Sequence, residues 1–442
     1  MSRKSLYDRI YEEIKQDILS GRLADGAKLP SKRAQAERSG VSVVTVETAY
    51  SQLAAEGYIT ARERSGYYVC AGEMPPAAPP ILQKPEELPE QSVREESAGG
   101  SPLFPFSVWT RLMRTVILEK GNALLAPLPS GGAAELQRAV SEHLRSFRGI
   151  SVPPHRIIVG AGTEYLNNLL VQLLGNNLTY AVEDPGYHKT ARIYRLNGAL
   201  CLPIGLDGQG LCASGLYYNN VDVAHISPAH HFPTGTVMPV SRRLELLKWA
   251  ARRNGYIIED DYDSEFRWVG RPVPTLFGLD NSGRVIYMNT FSMTIAPSVR
   301  IGYICLPPEL YELWKERMSF CSCPVPAFEQ YTLAKFISDG HYERHINRMR
   351  KHYRRIRELS IRLAEKYAGR ENVSEDNAGL HFIVKMSADE RIGQIYESCG
   401  IRLAPLSDYY DEGSEIPVTA QGKYVVNYSS ADISELLKWT ES

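Results

Sequence analysis

The feature that most constrains this 442-residue chain is a stretch that no packed element can use. Residues 71–101, AGEMPPAAPPILQKPEELPEQSVREESAGGS, contain six prolines and six glutamates and lack apolar periodicity. Such a segment reads as a linker. It separates an N-terminal piece, residues 1–72, from a large one, residues 102–442, with 73–101 between them. A flexible coil of this length spans roughly 30 Å root-mean-square, and a polyproline-like rod about 95 Å. Two loosely tethered bodies are therefore expected. No internal repeat of solenoid period is visible.

Composition narrows what the bodies can be. Lys and Arg number 50 against 51 Asp and Glu, a formal charge of -1, so any nucleic-acid contact must be local rather than a polybasic field. With 43% hydrophobic and 23% charged residues, the chain has the balance of a globular protein. No run approaches about 18 uninterrupted apolar residues, so no membrane partner is expected. The start, Met1-Ser-Arg-Lys-Ser-Leu-Tyr-Asp-Arg-Ile10, carries charge where a signal peptide needs an apolar centre, which predicts a cytoplasmic protein. Seven cysteines (70, 201, 212, 305, 321, 323, 399) are odd in number and scattered. They read as thiols, mostly buried, rather than as a disulfide framework.

Ahead of the linker, Leu6, Ile10, Ile14 and Ile18 recur every four residues and stack on one helical face, with Gly21 where a C-cap belongs. A second helix is expected from Ser31 to Ser39, before Gly40. A third starts at Ser42, with Val46, Ala49, Tyr50 and Leu53 on one face and Gly57 closing it. Tyr58-Ile-Thr60 and Tyr67-Tyr-Val69 read as short strands joined by residues 61–66. Three helices and a hairpin predict a small α+β winged helix-turn-helix. The third helix is short enough for a major groove and puts Ser42 and Thr45 near its N-terminus, where amides and the dipole favour phosphate. Lys28, Lys32, Arg33 and Arg38 gather around the preceding helix, and Arg62 and Arg64 sit on the wing. One face can thus be basic although residues 1–72 hold only eleven cations against nine carboxylates. On spacing alone, a structural helical domain with solvated charges stays open.

These residues also carry a resemblance. Lys28-Leu-Pro-Ser-Lys-Arg33, Gly40-Val-Ser-Val-Val-Thr-Val46, Ala49-Tyr50, Leu53, Glu56-Gly57 and Ser65-Gly-Tyr-Tyr-Val69 resemble the GntR-type winged helix of bacterial transcription regulators, over nearly all of residues 4–70. The resemblance implies a double-stranded DNA partner contacted by Ser31, Lys32, Arg33, Ser42, Thr45, Arg62 and Arg64. One departure matters: Val43 stands where family members often carry arginine.

From about residue 104, short apolar runs alternate with helical segments: 157–159, 179–182, 223–226, 256–258, 285–287 and 302–306. That alternation predicts an α/β body with a mixed, mostly parallel sheet covered by helices on both faces. Ligand sites in such sheets lie at the carboxyl ends of the strands. Gly160-Ala-Gly-Thr-Glu164 follows one strand and opens a helix whose amides can bind phosphate, although many plain turns look alike. Glu183-Asp-Pro-Gly-Tyr187 ends another strand and presents an aromatic ring. Glu259-Asp-Asp-Tyr-Asp-Ser-Glu265 ends a third and needs a cationic partner. No histidine is spaced there for a metal, and none is expected. His341 and His345 lie among Arg344, Arg348 and Arg350 and read as a solvated basic face.

Together these segments resemble the fold-type I aminotransferase module, and the whole chain resembles the MocR-type regulators of the GntR superfamily. The residues that carry this are Phe104-Pro-Phe-Ser-Val-Trp109 with Arg111, Glu183-Asp-Pro-Gly-Tyr187, Ser227-Pro-Ala-His-His-Phe-Pro-Thr-Gly235, 258–267, 290–302 and Gly379-Leu-His381. The resemblance implies a small C-terminal α+β subdomain over about 340–442 and a homodimer. It implies a pyridoxal phosphate site in which Gly162, Thr163 and Glu164 cradle the phosphate, completed by Ser292 and Arg300. Tyr187 would stack on the ring, Asp260 would pair with its nitrogen, and Tyr262 would bond its phenolic oxygen. Asp261 is the alternative to Asp260. The family's Phe-Ser-Lys motif is Phe291-Ser-Met293 here, so the amine that bonds the cofactor aldehyde is missing, and any binding must be non-covalent. Tyr424-Val-Val-Asn-Tyr428 also lacks the arginine with which many transaminases hold a substrate carboxylate.

The expectation is a DNA-binding transcription regulator, not an enzyme. Its aminotransferase-like domain would sense pyridoxal phosphate, or an amine or amino-acid adduct of it. A pyridoxal phosphate enzyme with an accessory DNA-binding domain is the alternative, as is a regulator whose pocket no longer takes this cofactor.

Overall fold

The computed structural model describes residues 6–70, 103–268, 273–374, 378–386 and 390–441. The chain divides into two compact units after Val93. The expected linker, residues 73–101, lies outside the described residues.

In the first unit, helices α1 (Leu6–Leu19), α2 (Lys32–Ser39) and α3 (Val43–Ala55) precede an antiparallel hairpin of β1 (Ile59–Arg62) and β2 (Gly66–Val69). The four-residue spacing in α1 buries Ile10, Ile14 and Ile18 against Val46, Ala49, Tyr50 and Leu53 of α3 and against Ile59 and Val69 of the hairpin. Ser31 caps α2 by accepting from the Ala34 amide at 3.2 Å, and Ser42 caps α3 by accepting from the Thr45 amide at 3.2 Å. The buried Tyr50 donates to the Pro30 carbonyl at 3.0 Å, which ties α3 to the segment ahead of α2. This is the winged helix-turn-helix that the spacing predicts.

The second unit opens with α4 (Phe106–Lys120) and α5 (Ala134–Arg148). Then follow β3 (Ile157–Gly160), α6 (Thr163–Leu174), β4 (Thr179–Asp184), α7 (His188–Leu196), β5 (Leu200–Asp207), β6 (Gly210–Leu211), α8 (Ala213–Tyr218), β7 (Val223–Ile226) and α9 (Val240–Arg253). After them come β8 (Tyr256–Asp260), α10 (Leu276–Leu279), β9 (Val285–Thr290), β10 (Gly302–Cys305), α11 (Pro308–Met318) and α12 (Ala327–Ser338). The eight strands pair in the order β3-β10-β9-β8-β7-β4-β5-β6. Strands β9, β8, β7, β4 and β5 run parallel, and β10 lies antiparallel to both β3 and β9. Every residue of β3, β7, β9 and β10 is buried, as strands covered on both faces must be. Strand β5 escapes the periodicity because Pro203 and Gly205 interrupt it; near the sheet edge both are tolerated.

The chain ends in α13 (His341–Ala368), β11 (Val373–Ser374), β12 (His381–Lys385), α14 (Glu390–Ser398), β13 (Arg402–Pro405), β14 (Lys423–Asn427) and α15 (Ile433–Glu441). The strands form a second sheet, antiparallel, in the order β11-β12-β14-β13. One hydrophobic core runs from Leu112 and Val140 through Phe291 and Tyr342 to Phe382 and Tyr428, so this α+β part and the large sheet share their interior. The wet basic face expected at His341 and His345 is only half right. His345 lies with Tyr342, Ile346 and Met349 on the buried stripe of α13, its Nε2 2.9 Å from the Thr294 carbonyl oxygen. The cysteines also differ from expectation: Cys201, Cys305 and Cys399 are buried, but Cys70 is exposed and Cys212, Cys321 and Cys323 are half-buried. Those four lie in connections, where packing is thinner. No helix among the described residues is long and apolar enough to cross a membrane.

Candidate functional site

A cavity of about 750 Å³ opens at the carboxyl ends of β4, β7, β8 and β9. Its first wall is the entrance of α6. Gly162 precedes that helix, no side chain caps it, and its first amides have no acceptor within the helix. Gly162 has φ +86, and a Cβ there would stand 3.1 Å from the guanidinium carbon of Arg300. Glycine is thus required both by the turn and by the close approach of the cation. Arg300 holds φ +50, a backbone form uncommon outside glycine, and so directs its guanidinium to within 3.3 Å of Glu164 Oε2. Lys189 Nζ lies 3.7 Å from Glu164 Oε1. Two cations and the positive end of a helix converge there on one carboxylate, an arrangement suited to an anion. Ser292, its Oγ 2.9 Å from Thr290 Oγ1, and Met293 line the same side.

Another part of the lining belongs to β7 and β8. Asp260 lines the cavity with Oδ2 3.5 Å from His225 Nε2, and His225 Nδ1 meets the Tyr194 hydroxyl at 2.6 Å. Asp261 turns into the core instead. Arg148 Nε stands 2.9 Å from its Oδ2, and the Tyr287 hydroxyl donates to it at 2.6 Å. Neighbours in an extended segment face opposite ways, so one aspartate of the pair reaches the cavity, and it is Asp260.

A cluster of buried polar groups lies at the lining, through Glu183, His231, Asp263 and His381, and behind it, through His230. Asp263 Oδ2 lies 2.9 Å from His230 Nδ1, and the His230 and His381 rings are 4.5 Å apart. A Cβ on Gly379, at φ +67, would fall 1.9 Å from His230 Cε1, which explains the Gly379-Leu-His381 turn. Glu183 accepts from the Ser227 amide at 2.7 Å, while its Oε1 has no hydrogen-bond partner. Burial pushes the Glu183 carboxyl up to about 8 and the nearby His231 imidazole down to about 3, so both are neutral at neutral pH. Burial, with Asp263 and Asp260 beside it, also holds the Tyr262 phenol well above its usual range. Tyr187 stands at the cavity 38% exposed, its ring edge-on to Phe232 at 6.4 Å. Thr163, Glu164, Tyr187, Asp260, Tyr262, Ser292, Met293 and Arg300 all line this one space, with Gly162 beneath Arg300. Sequence reasoning missed His225, Glu183 and His381 as lining residues. A polar His225 inside the apolar run Val223-Ala-His-Ile226 was the available signal.

In the first unit, Arg33, Ser42, Arg62 and Arg64 are exposed around α2, α3 and the wing. Arg64 takes φ +58 at the hairpin turn, and Arg62 lies over the Tyr68 ring at 4.5 Å. Ser31 and Ser42 spend their hydroxyls on helix caps, and Thr45 Oγ1 is 2.8 Å from Ser42 Oγ. Lys32 is less free than expected. It pairs with Glu47 at 2.5 Å and sits over the Tyr67 ring at 5.6 Å.

Residues 6–69 match the bacterial regulatory proteins of the gntR family, and residues 98–414 match aminotransferase class I and II. The HTH-type transcriptional regulator YdeL of Bacillus subtilis is 36% identical over 443 residues, covering 98% of this chain and 95% of the relative. This chain belongs to the GntR-type transcriptional regulators that carry an aminotransferase-like domain. The probable rhizopine catabolism regulatory protein MocR of Rhizobium meliloti is 31% identical, over 91% of this chain and 86% of its own. The pyridoxine biosynthesis regulator PdxR of Corynebacterium glutamicum is 30% identical, over 92% and 89%. Among solved structures, an archaeal alanine:glyoxylate aminotransferase superposes with a TM-score of 0.66 at 23% identity, covering 78% of this regulator and 88% of that chain. That likeness establishes the fold of the large unit.

Proposed function

We propose that this regulator binds promoter DNA as a homodimer through Ser31, Lys32, Arg33, Ser42, Thr45, Arg62 and Arg64, and that its large domain is a receptor rather than an enzyme. The ligand we propose is pyridoxal phosphate, or its adduct with an amine or amino acid, held without a covalent bond in a cytoplasmic protein. The observation that carries this reading is that one cavity is lined together by the cations Arg300 and Lys189, the carboxylate of Asp260 and the thioether of Met293.

The residues present fit the group. The uncapped amides of α6, the Gly162 turn that a Cβ would fill and the Arg300 guanidinium suit a phosphate. Asp260 suits a protonated ring nitrogen, with His225 behind it to orient the carboxylate. Tyr187 offers a ring face and Tyr262 a hydroxyl. Bound pyridoxal phosphate would supply an aldehyde that condenses reversibly with amines. Met293, at the position where the resemblance expects lysine, brings neither a nucleophile nor a base, so the domain would bind and not turn over. The relative named for pyridoxine biosynthesis adds support for a vitamin B6 species.

The test is a titration with pyridoxal phosphate followed by borohydride reduction. The native chain should bind it reversibly and leave no label on the peptide containing residue 293. Met293→Lys should acquire that label. A folded Met293→Lys protein without label in excess cofactor means that the pocket serves another ligand. Appreciable transamination by the native chain would show that Met293 does not hold the lysine position.

A further inference from the structure

The tip of the recognition helix is apolar where it is most exposed. Val43 and Val44 open α3 with 41% and 69% of their surface exposed, while the next valine, Val46, is wholly buried. The polar side chains around them each make a bond within the unit, which leaves them part of their hydrogen-bonding capacity. Ser42 accepts from the Thr45 amide, and its hydroxyl meets that of Thr45 at 2.8 Å. Thr48 donates to the Val44 carbonyl at 3.0 Å, and Glu47 is paired with Lys32. At the first turn of α3, two branched aliphatic side chains are therefore exposed beside hydroxyls that already make hydrogen bonds within the helix.

A helix entering a major groove reads base edges through its N-terminal residues. Three base edges offer only donors and acceptors there; the fourth, thymine, adds a C5-methyl group. Valine can make no hydrogen bond, so the base-edge contact open to it is with that methyl. Positive groups are supplied by neighbouring residues: Arg33 is exposed on α2, and Arg62 and Arg64 on the wing. Their attraction to phosphate fixes position without reading sequence.

We infer that Val43 and Val44 select operator half-sites by packing against thymine methyl groups, so that α3 prefers thymine at the bases facing its tip. The inference rests on the reading that α3 enters the groove. Both side chains lie outside the core of the unit, so replacing them should leave the fold intact.

The test begins by enriching duplexes from a random pool with the full-length protein. Each thymine of the enriched half-site is then replaced singly by deoxyuridine, which removes the methyl and nothing else. At one or two thymines per half-site, affinity should fall about fourfold, the worth of one buried methyl. In Val43→Ala or Val44→Ala that ratio should approach one at the matching thymine. Arg33→Ala should weaken thymine and deoxyuridine duplexes alike. If deoxyuridine is harmless at every position, or the alanine variants keep the full ratio, the methyl assignment is overturned and groove entry stands. If no sequence is enriched at all, the groove reading itself falls.

Discussion

Glu183 shows how a single side chain can carry the chemistry of its surroundings. It lies one residue before the end of β4, accepts a bond from the Ser227 amide and keeps Oε1 unpaired. Burial moves its carboxyl from 4.5 to about 8. The native state therefore holds a proton there that the unfolded chain has released, and folding from this group is favoured most below about pH 4.5 and progressively less as pH rises towards 8. The expected effect is on the order of a few kcal/mol. Glu183→Gln keeps the shape and removes the titration, so the fall in Tm of the ligand-free protein between pH 5 and pH 8 should shrink. An unchanged slope would mean that the carboxyl is ionised in the native state and finds a partner there.

At the scale of elements, helix starts do two jobs in this regulator. The start of α6 is left open by Gly162 and can offer its amides to an anion, whereas the start of α3 is closed by Ser42. The cap of α3 leaves Val43 and Val44 exposed at its tip. Ser42→Ala removes the cap and should destabilise α3 by about 1 kcal/mol. Hydrogen exchange read on peptides within α3 should then speed up by about fivefold, with peptides of α6 unaffected. Equal exchange in both proteins would show that tertiary contacts such as the Tyr50 hydroxyl to Pro30 hold the helix without its cap.

At the scale of the molecule, the two units have separate cores: Ile10, Tyr50 and Leu53 belong to one, Leu136, Phe291 and Phe382 to another. The first unit can therefore be tested alone. If the large domain brings two winged helices together, residues 1–72 should bind an operator at least about 100-fold more weakly than the full chain, because the second contact loses its effective concentration. Equal affinities in a gel-shift titration would remove the homodimer from the proposal.

The sequence by itself determined the elements of the first unit and six strands of the large sheet, while the pocket residues were named through the family resemblance. Four-residue spacing set α1, serine and glycine punctuation set α2 and α3, and short apolar runs set six strands of the large sheet, because periodicity, caps and turns act between neighbours in the chain. The polar segments 160–164, 183–187 and 259–265 at strand ends were legible for the same reason, and the resemblance supplied their expected roles. Other features awaited the tertiary structure. Whether Asp260 or Asp261 meets the cavity depends on which face Arg148 and Tyr287 occupy, over 100 residues and 26 residues away respectively. The role of Gly379 appears only when His230 is packed against it, and the neutrality of Glu183 only when burial removes its water. Desolvation and close approach are properties of segments distant in sequence and adjacent in space, so no local pattern encodes them.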